Sequence, residues 1–353
     1  MNERVFVGVS GGVDSSVSIQ RLVHLGYEVS AVFIKTWQPD FIQCNWEKER
    51  LDAMRVAAHV GVPFYTFDAE NAYKKEVADY MIREYSEGRT PNPDVMCNQY
   101  VKFGAFLNYA LEHGATKIAT GHYAQCIFND GYFELHRGVD SEKDQSYFLW
   151  TLTQEQLSHT LFPIGDSIKS TVRTEAERNG LPTYKKSDSQ GICFLGPVDM
   201  QDFLSHFIQT KKGDVFDEWG NRIGVHNGAL MYTHGQRHGF TISPTHESTQ
   251  PYYVIAKDLA QNTLTVSHTQ KNCSGNTIQL TSIHLLTKTL PKICEAQFRY
   301  RQKTFRISLT EIDTERAMLT VLDSHIELPS RGQSCVFYEG SRCLGGGIIN
   351  EIL

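Results

Sequence analysis

Nothing in this 353-residue chain approaches the roughly 18 consecutive apolar residues of a membrane-spanning helix, so no such segment is expected. No two of its eight cysteines (Cys44, Cys97, Cys126, Cys193, Cys273, Cys294, Cys335, Cys343) form a C-x-x-C pair, which argues against a structural zinc site or a dithiol redox motif. Positive charge is not in excess: a net charge of -6 excludes a uniformly basic nucleic-acid binder but leaves room for local basic strips. A strand pattern begins at Val5, leaving no length for a signal or transit peptide, so a cytosolic location is expected. In a reduced compartment most cysteines serve as small buried hydrophobes, and a reactive one has to be argued from its surroundings.

Hydrophobic residues make up 41% of the chain and charged residues 21%, ordinary values for a globular protein with room for two or three domains. From Val5 to about residue 125, strand and helix patterns alternate: Val5–Val9, a helix to Leu25, Glu28–Lys35, a helix over Glu47–Val60, Pro63–Phe67, two further helices, then Lys117–Thr120. That rhythm predicts a parallel sheet covered by helices. Beyond Met200 the pattern becomes short alternating runs, among them a hairpin of Tyr252–Ala256 with Thr263–Val266, and the last 80 or so residues predict an antiparallel barrel. The expected domains are 1–200, 201–274 and 275–353.

Directly after the first strand comes a glycine-serine loop, Gly8-Val9-Ser10-Gly11-Gly12-Val13-Asp14-Ser15-Ser16, leading into a helical pattern. Strand, tight turn and helix N-terminus together present backbone N–H groups and a helix dipole to an anion. The loop has neither a Walker lysine nor a G-x-G-x-x-G fingerprint, and it carries Asp14, suited to capping the helix or reaching magnesium. It resembles the loop of the PP-loop family, the N-type ATP pyrophosphatases, which split ATP between the α and β phosphates to adenylate a substrate. With pyrophosphate leaving, no lysine is needed on a transferred γ phosphate. The resemblance implies ATP with Mg2+, and marks Ile34 and Gly121 as adenosine contacts; by spacing alone they read as a core isoleucine and a turn glycine.

Adenylation calls for a nucleophile. In RTPNPDVMCNQY, residues 89–100, Asp94 is placed to cap a helix whose first turn holds Cys97. There the helix dipole would favour the thiolate, and a fall in pKa from about 8.5 to about 7 would raise its share at neutral pH from a few per cent to about half. Cys193 lies between Gly191-Ile192 and Phe194-Leu195-Gly196-Pro197; its apolar neighbours suit a buried strand, while the glycines suit a segment able to move.

RTPNPD-x-x-C, ATGHY at 119–123, KDQSYFL at 143–149, the GICFLG segment around Cys193, GQSCVFYEG at 332–340 and CLGGGII at 343–349 closely resemble the bacterial tRNA 2-thiouridylase family, over essentially the whole chain. This resemblance implies a three-domain sulfurtransferase that converts the wobble uridine of glutamine, lysine and glutamate tRNAs to 2-thiouridine, cleaving ATP to AMP and pyrophosphate. It implies a persulfide on Cys193, a nucleophile in Cys97, and Asn92, Pro93 and Asp94 at the target base, Asp94 as an acid or base. It marks His122, Lys143, Asp144, Gln145, Arg299, Tyr300 and Gln333 as tRNA contacts, and implies a persulfide donor, either a cysteine desulfurase or a relay protein. The segment at 233–239 departs from the family pattern in carrying His238.

Strand periodicity would place Arg299, Arg301 and Lys303 on one face as a basic strip, opposite Phe298 and Tyr300. Two other readings compete: an ATP-dependent amide-forming ligase on the same loop, which needs no cysteine pair, and a tRNA-binding protein with a vestigial ATP site. An iron–sulfur cluster on Asp94, Cys97 and Cys193 is a less favoured alternative to persulfide chemistry, since C-x-x-C spacing is missing.

Overall fold

The segment Glu28–Lys35 is apolar at five of its eight positions and six of the eight residues are buried, as a strand covered on both faces requires. It is β2 of a five-stranded parallel sheet. In the computed structural model, which describes residues 3–42, 46–188, 191, 193–196, 198–246, 248–313 and 315–353, Cys44, Ile192 and Pro197 lie outside the described residues. The sheet contains β1 (Arg4–Gly8), β2, β3 (Phe64–Asp68), β4 (Lys117–Ala119) and, after the hairpin of β5 (Ala124–Asn129) and β6 (Tyr132–Arg137), β7 (Thr160–Leu161). Its order is β3-β2-β1-β4-β7.

The chain therefore steps outward on one side of β1, from β2 to β3, and returns on the other side as β4. Such a reversal opens a crevice beyond the carboxyl ends of the strands, where open α/β sheets bind ligands. The loops that line it follow β1 and β4: Val9–Gly12, which leads into α1 (Val13–His24), and Thr120–Tyr123.

A second sheet, β8 (Gly213–Phe216), β9 (Arg222–His226), β10 (Thr241–Ile242), β11 (Tyr253–Asp258) and β12 (Thr263–Ser267), has the order β10-β9-β8-β12-β11. The barrel follows: β13 (Thr277–Leu285), β14 (Ile293–Gln297), β15 (Phe305–Ile312), β16 (Arg316–Val321), β17 (Ser334–Glu339) and β18 (Arg342–Ile352), closed by antiparallel pairing of β13 with β18. Ile278, Leu280, Phe298, Phe305, Ile307, Leu319 and Phe337 fill it together with Cys273, Cys294 and Cys335. Burial pushes the Cys273 thiol up to about 11 and that of Cys294 up to about 12, so these cysteines are inert packing groups.

The barrel does not stand apart from the first domain. The β5–β6 hairpin continues its sheet, with β18 pairing to β6 at Arg342–His136 and Cys343–Leu135. Asp144 locks this junction. Its buried carboxylate accepts hydrogen bonds from the Gly138 and Ser146 N–H groups and the Ser146 hydroxyl, each at 3.0 Å, and pairs with Arg137 at 2.9 Å. The Arg137 guanidinium in turn lies 3.6 Å from the ring centroid of Tyr338 on β17.

One expectation about this region fails. Residues 298–303 form the turn between β14 and β15 rather than a strand, so Arg299, Arg301 and Lys303 do not share a strand face. Arg301 has φ +62°. The turn is closed internally: Gln302 accepts from the Phe298 N–H through its side chain at 2.8 Å, and its carbonyl accepts from the Gln297 amide. Alternation of residue type cannot distinguish such a turn from a strand.

Candidate active site

The phosphate loop has its expected place between β1 and α1, with different side-chain roles. Gly12 stands at the N-cap and no side chain caps the helix, so Asp14 is not the cap. Its carboxylate instead accepts from Lys169 Nζ at 2.7 and 2.8 Å and from the Tyr123 hydroxyl at 2.8 Å. Lys169 is shared with Asp188 at 2.8 Å, and Asp188 also pairs with Lys143 at 2.6 Å and Arg173 at 2.5 Å. Those cations hold the Asp188 carboxyl well below the usual carboxylate range despite the opposing effect of burial. A cationic wall thus stands beside the free N–H groups of the first helical turn.

Ser15 and Ser16 are buried, and the Ser16 hydroxyl donates to the Gly12 carbonyl at 2.6 Å. The Val9 N–H is taken by the Val32 carbonyl at 2.9 Å, and Val9 and Val13 bury their side chains in the core. Gly11 has φ +69°, and a Cβ there would meet the Glu49 carbonyl at 2.7 Å, so the turn needs glycine. Gly8 is less constrained: its Cβ would lie 3.6 Å from Ile34 Cδ1, and Ile34 is a core residue behind the loop. Gly121 abuts the start of α1, where a Cβ would come within 2.7 Å of the Ser15 nitrogen and 2.9 Å of the Asp14 carbonyl carbon.

Asn92, not Asp94, caps the helix that begins at Pro93. The Asn92 side chain accepts from the Val95 N–H at 3.4 Å, and Pro93 takes the first-turn position where its missing N–H costs nothing. Asp94 is left free to accept from the Cys193 N–H at 2.9 Å. Burial pushes its carboxyl up, against the opposing pull of that N–H and of Lys102.

The two cysteines meet. Cys97 and Cys193 face each other closely enough for each thiol to shift the other, with Lys102 beside Cys193. Cys193 lies in a turn rather than a strand, between Gly191 and Gly196 at φ +87° and +75°, and Phe194 itself has φ +67°. A bulky residue there is strained unless its surroundings hold it. Tyr73 donates its hydroxyl to the Cys193 carbonyl at 2.8 Å, and the Gln38 amide donates to the Phe194 carbonyl at 2.9 Å.

Charge on the pair runs opposite to the expectation from helix position. Burial pushes the Cys97 thiol well up, and the facing Cys193 adds to this. The same approach is the largest influence on Cys193, and with the Lys102 charge it outweighs burial and brings that thiol down to about 7. Both directions favour the proton on Cys97 over Cys193, the two thiols titrating as a pair.

Sequence reasoning missed Lys102. From Cys97 to Ala105 the helix widens into i→i+5 bonding, which stacks residues five apart, whereas an α-helix would turn Lys102 away from Cys97. The Lys102 ammonium lies 3.5 Å from His122 Nε2 and 5.6 Å from the Phe194 ring centroid. Since an ammonium has only protons to give, Nε2 accepts, and Nδ1–H donates to the Thr120 hydroxyl at 2.8 Å. Burial, reinforced by the Lys102 charge, holds the imidazole well below its ordinary range, so His122 is neutral. Gly121 and His122 are consecutive: one packs on the phosphate loop, the other touches the lysine of the thiol pair.

The remaining marked positions divide. His122 and Asp144 are buried and engaged within the protein. Gln145 clasps Tyr123, accepting its N–H at 3.0 Å, and Lys143 is held by Asp188. Gln333 donates to the Thr90 and Pro91 carbonyls at 2.8 and 3.2 Å, tying the barrel to the loop before Asn92, while Thr233 of the middle domain meets the Thr90 hydroxyl at 3.0 Å. Arg299 pairs with Glu327 at 2.5 Å, and Tyr300 packs on Phe148 with ring centroids 4.6 Å apart. Among the described residues, no group of three or more His, Cys, Asp or Glu converges as a metal site, and no helix is long and apolar enough to cross a membrane.

Residues 3–197 match the family described as tRNA methyl transferase HUP domain, residues 201–268 the tRNA methyl transferase PRC-barrel domain, and residues 275–349 the aminomethyltransferase beta-barrel domain. Among solved structures, U34-tRNA thiolase NcsA from Methanococcus maripaludis, with its [4Fe-4S] cluster, aligns at TM-score 0.35 and 14% identity over 58% of this chain and 64% of that one. The tRNA-specific 2-thiouridylase MnmA of Enterococcus faecalis is 43% identical over 99% of this chain and 95% of its own length. That of Francisella philomiragia is 42% identical over 99% of both. With identity of that order along its whole length, and with the paired cysteines in contact, the chain belongs to the tRNA-specific 2-thiouridylase family.

Proposed function

We propose that this protein performs ATP-dependent 2-thiolation of the wobble uridine of tRNA. The observation that carries the reading is the meeting of Cys97 and Cys193 against Lys102, one dipeptide, Gly121-His122, away from the phosphate loop. Opposed thiols suit sulfur transfer rather than the methyl transfer that the domain descriptions name.

ATP occupies the crevice with its β and γ phosphates on the loop, against Lys169, Arg173 and Lys143. Asp14, on giving up Lys169 to the phosphates, would hold Mg2+, whose charge eases departure of pyrophosphate. The uridine O2 takes the adenylyl group. Cys193, loaded with sulfur from a persulfide donor, attacks C2 through its terminal sulfur, and AMP leaves with the electrons of the C–O bond. Cys97, giving its proton to Asp94, then attacks the Cys193 sulfur; the disulfide forms, and the electron pair of the broken bond stays on the sulfur attached to C2. That proton ends on uridine N3. A variant route, in which Cys97 first frees hydrosulfide, ends in the same disulfide, which a dithiol must reduce before the next cycle. Residues 1–200 serve as the ATP pyrophosphatase domain, 201–274 as a small central domain and 275–353 as the tRNA-binding barrel. Asn92, Pro93 and Asp94 meet the flipped base, and Arg299, Tyr300 and Gln333 lie along the RNA.

The test is mass analysis of nucleosides from unmodified tRNA incubated with the protein, ATP, magnesium and a persulfide donor, together with iron content and mapping of labelled sulfur. The expected result is 2-thiouridine in step with AMP, with label on Cys193. Product from a Cys97→Ala, Cys193→Ala double variant would favour an amide-forming ligase. Absence of AMP would favour a vestigial site, and activity that tracks bound iron would replace the persulfide with a cluster.

A further inference from the structure

Among the described residues, Lys102 forms no ion pair with a surface acid. Its ammonium is carried beneath the site by the widened turn at Cys97–Ala105 and faces Cys193 and Cys97, with the Asp94 carboxylate also within its field. Burial pulls its pKa down, but the attraction of the two sulfurs and Asp94 outweighs this and holds it above the ordinary lysine value. The groups facing the pair from other elements are the Tyr73 hydroxyl, which burial and the nearby sulfurs keep protonated, and the neutral imidazole of His122. His122 places an acceptor 3.5 Å behind the ammonium and brings no competing negative charge. The Phe194 ring, 5.6 Å from Nζ, adds a weakly attractive face on the other side.

We infer that Lys102 is a catalytic residue of the sulfur transfer, its ammonium pairing in turn with whichever sulfur of the Cys97–Cys193 pair bears the negative charge. The inference rests on the thiolation reading. Three stages need such a cation. Cys193 must be a thiolate to attack the sulfane sulfur of the donor, whose own thiolate then leaves. The loaded persulfide is an anion that must persist until the base is adenylated. Finally, Cys97 must give up its proton in a buried place where an unpaired thiolate is costly. A cation reaching both sulfurs serves all three without moving far. His122, which acts through Lys102, is a positioning residue.

The experiment measures the pH dependence of Cys193 alkylation by iodoacetamide in the full-length protein, resolved by peptide mass spectrometry, for the wild type, Lys102→Met and Lys102→Arg. Removing an opposite charge in contact with a thiol raises its midpoint by about 1–3 units. A midpoint near 7 in the wild type should therefore rise by at least about one unit in Lys102→Met, slowing alkylation at pH 7 by roughly fivefold or more. Lys102→Arg, which keeps the charge, should recover most of that loss. His122→Asn, which leaves the lysine charged but unsteered, provides a second reading: a smaller rise of the same sign. Lys102→Met should also slow single-turnover thiolation by at least about tenfold with tRNA affinity unchanged. An unmoved midpoint in a folded Lys102→Met, or equal impairment of the Met and Arg variants, would overturn the inference. The alkylation readout uses neither tRNA nor ATP, so it fails separately from the thiolation reading.

Discussion

Replacing Gly121 with alanine tests how tightly the loop after β4 is built against the glycine-serine loop and the start of α1. The added Cβ would lie 2.7 Å from the Ser15 nitrogen and 2.9 Å from the Asp14 carbonyl carbon, both backbone atoms that cannot swing aside as a side-chain tip would. Relief to an ordinary contact of about 3.5 Å requires the loop and the strand end to separate by nearly 1 Å. Overpacking of this kind costs about 1–3 kcal/mol, which a chain of normal stability survives folded. Catalysis is less tolerant: a misplacement of about 1 Å in a group that positions reactants costs roughly 100-fold. Gly121→Ala should therefore fold, bind tRNA like the wild type, and release AMP about 100-fold more slowly at saturating tRNA. Gly12→Ala supplies the stability control, because its Cβ would meet only the Ser10 hydroxyl at 3.3 Å. The assay is release of labelled AMP under single-turnover conditions, beside thermal unfolding of each variant. AMP release in Gly121→Ala within threefold of the wild type would refute the claim that contact at this point sets the geometry of adenylation.

Arg299→Ala should weaken tRNA binding and reduce the salt slope by about one unit, whereas Glu327→Gln, by releasing Arg299 from its ion pair, should strengthen binding at low salt; filter binding across a salt series reads both, and an unchanged slope in the first would return Arg299 to a purely structural role. Asp144→Ala leaves Arg137 and two buried N–H groups without their acceptor, and should lower stability by about 3–5 kcal/mol in urea unfolding followed by circular dichroism; a loss below about 1 kcal/mol would show that the junction of hairpin and barrel does not depend on it.

The parts of this protein that can be read along the chain are those whose physical cause is local. Alternating strand and helix periods announce the parallel sheet, and the density of glycine and serine between Gly8 and Ser16 announces the tight turn from β1 into the N-terminus of α1. The barrel is legible for the same reason, from short runs separated by turn residues. Even here local pattern misleads where two structures share it: Arg299, Arg301 and Lys303 alternate like a strand but lie on a turn closed by Gln302. Only the tertiary structure decided which groups meet. Asn92 and Asp94 are both competent helix caps, and the choice between them turned on Asp94 being claimed by the Cys193 N–H. Helix position favours a thiolate at Cys97, yet complete burial of that thiol, and Lys102 beside its neighbour, favour ionisation of Cys193 instead. Lys102 had no sequence signal because residues five apart stack only where the helix widens, and the pairing of β6 with β18 had none because strand partners far apart in the chain recognise each other through packing that exists only once both are folded.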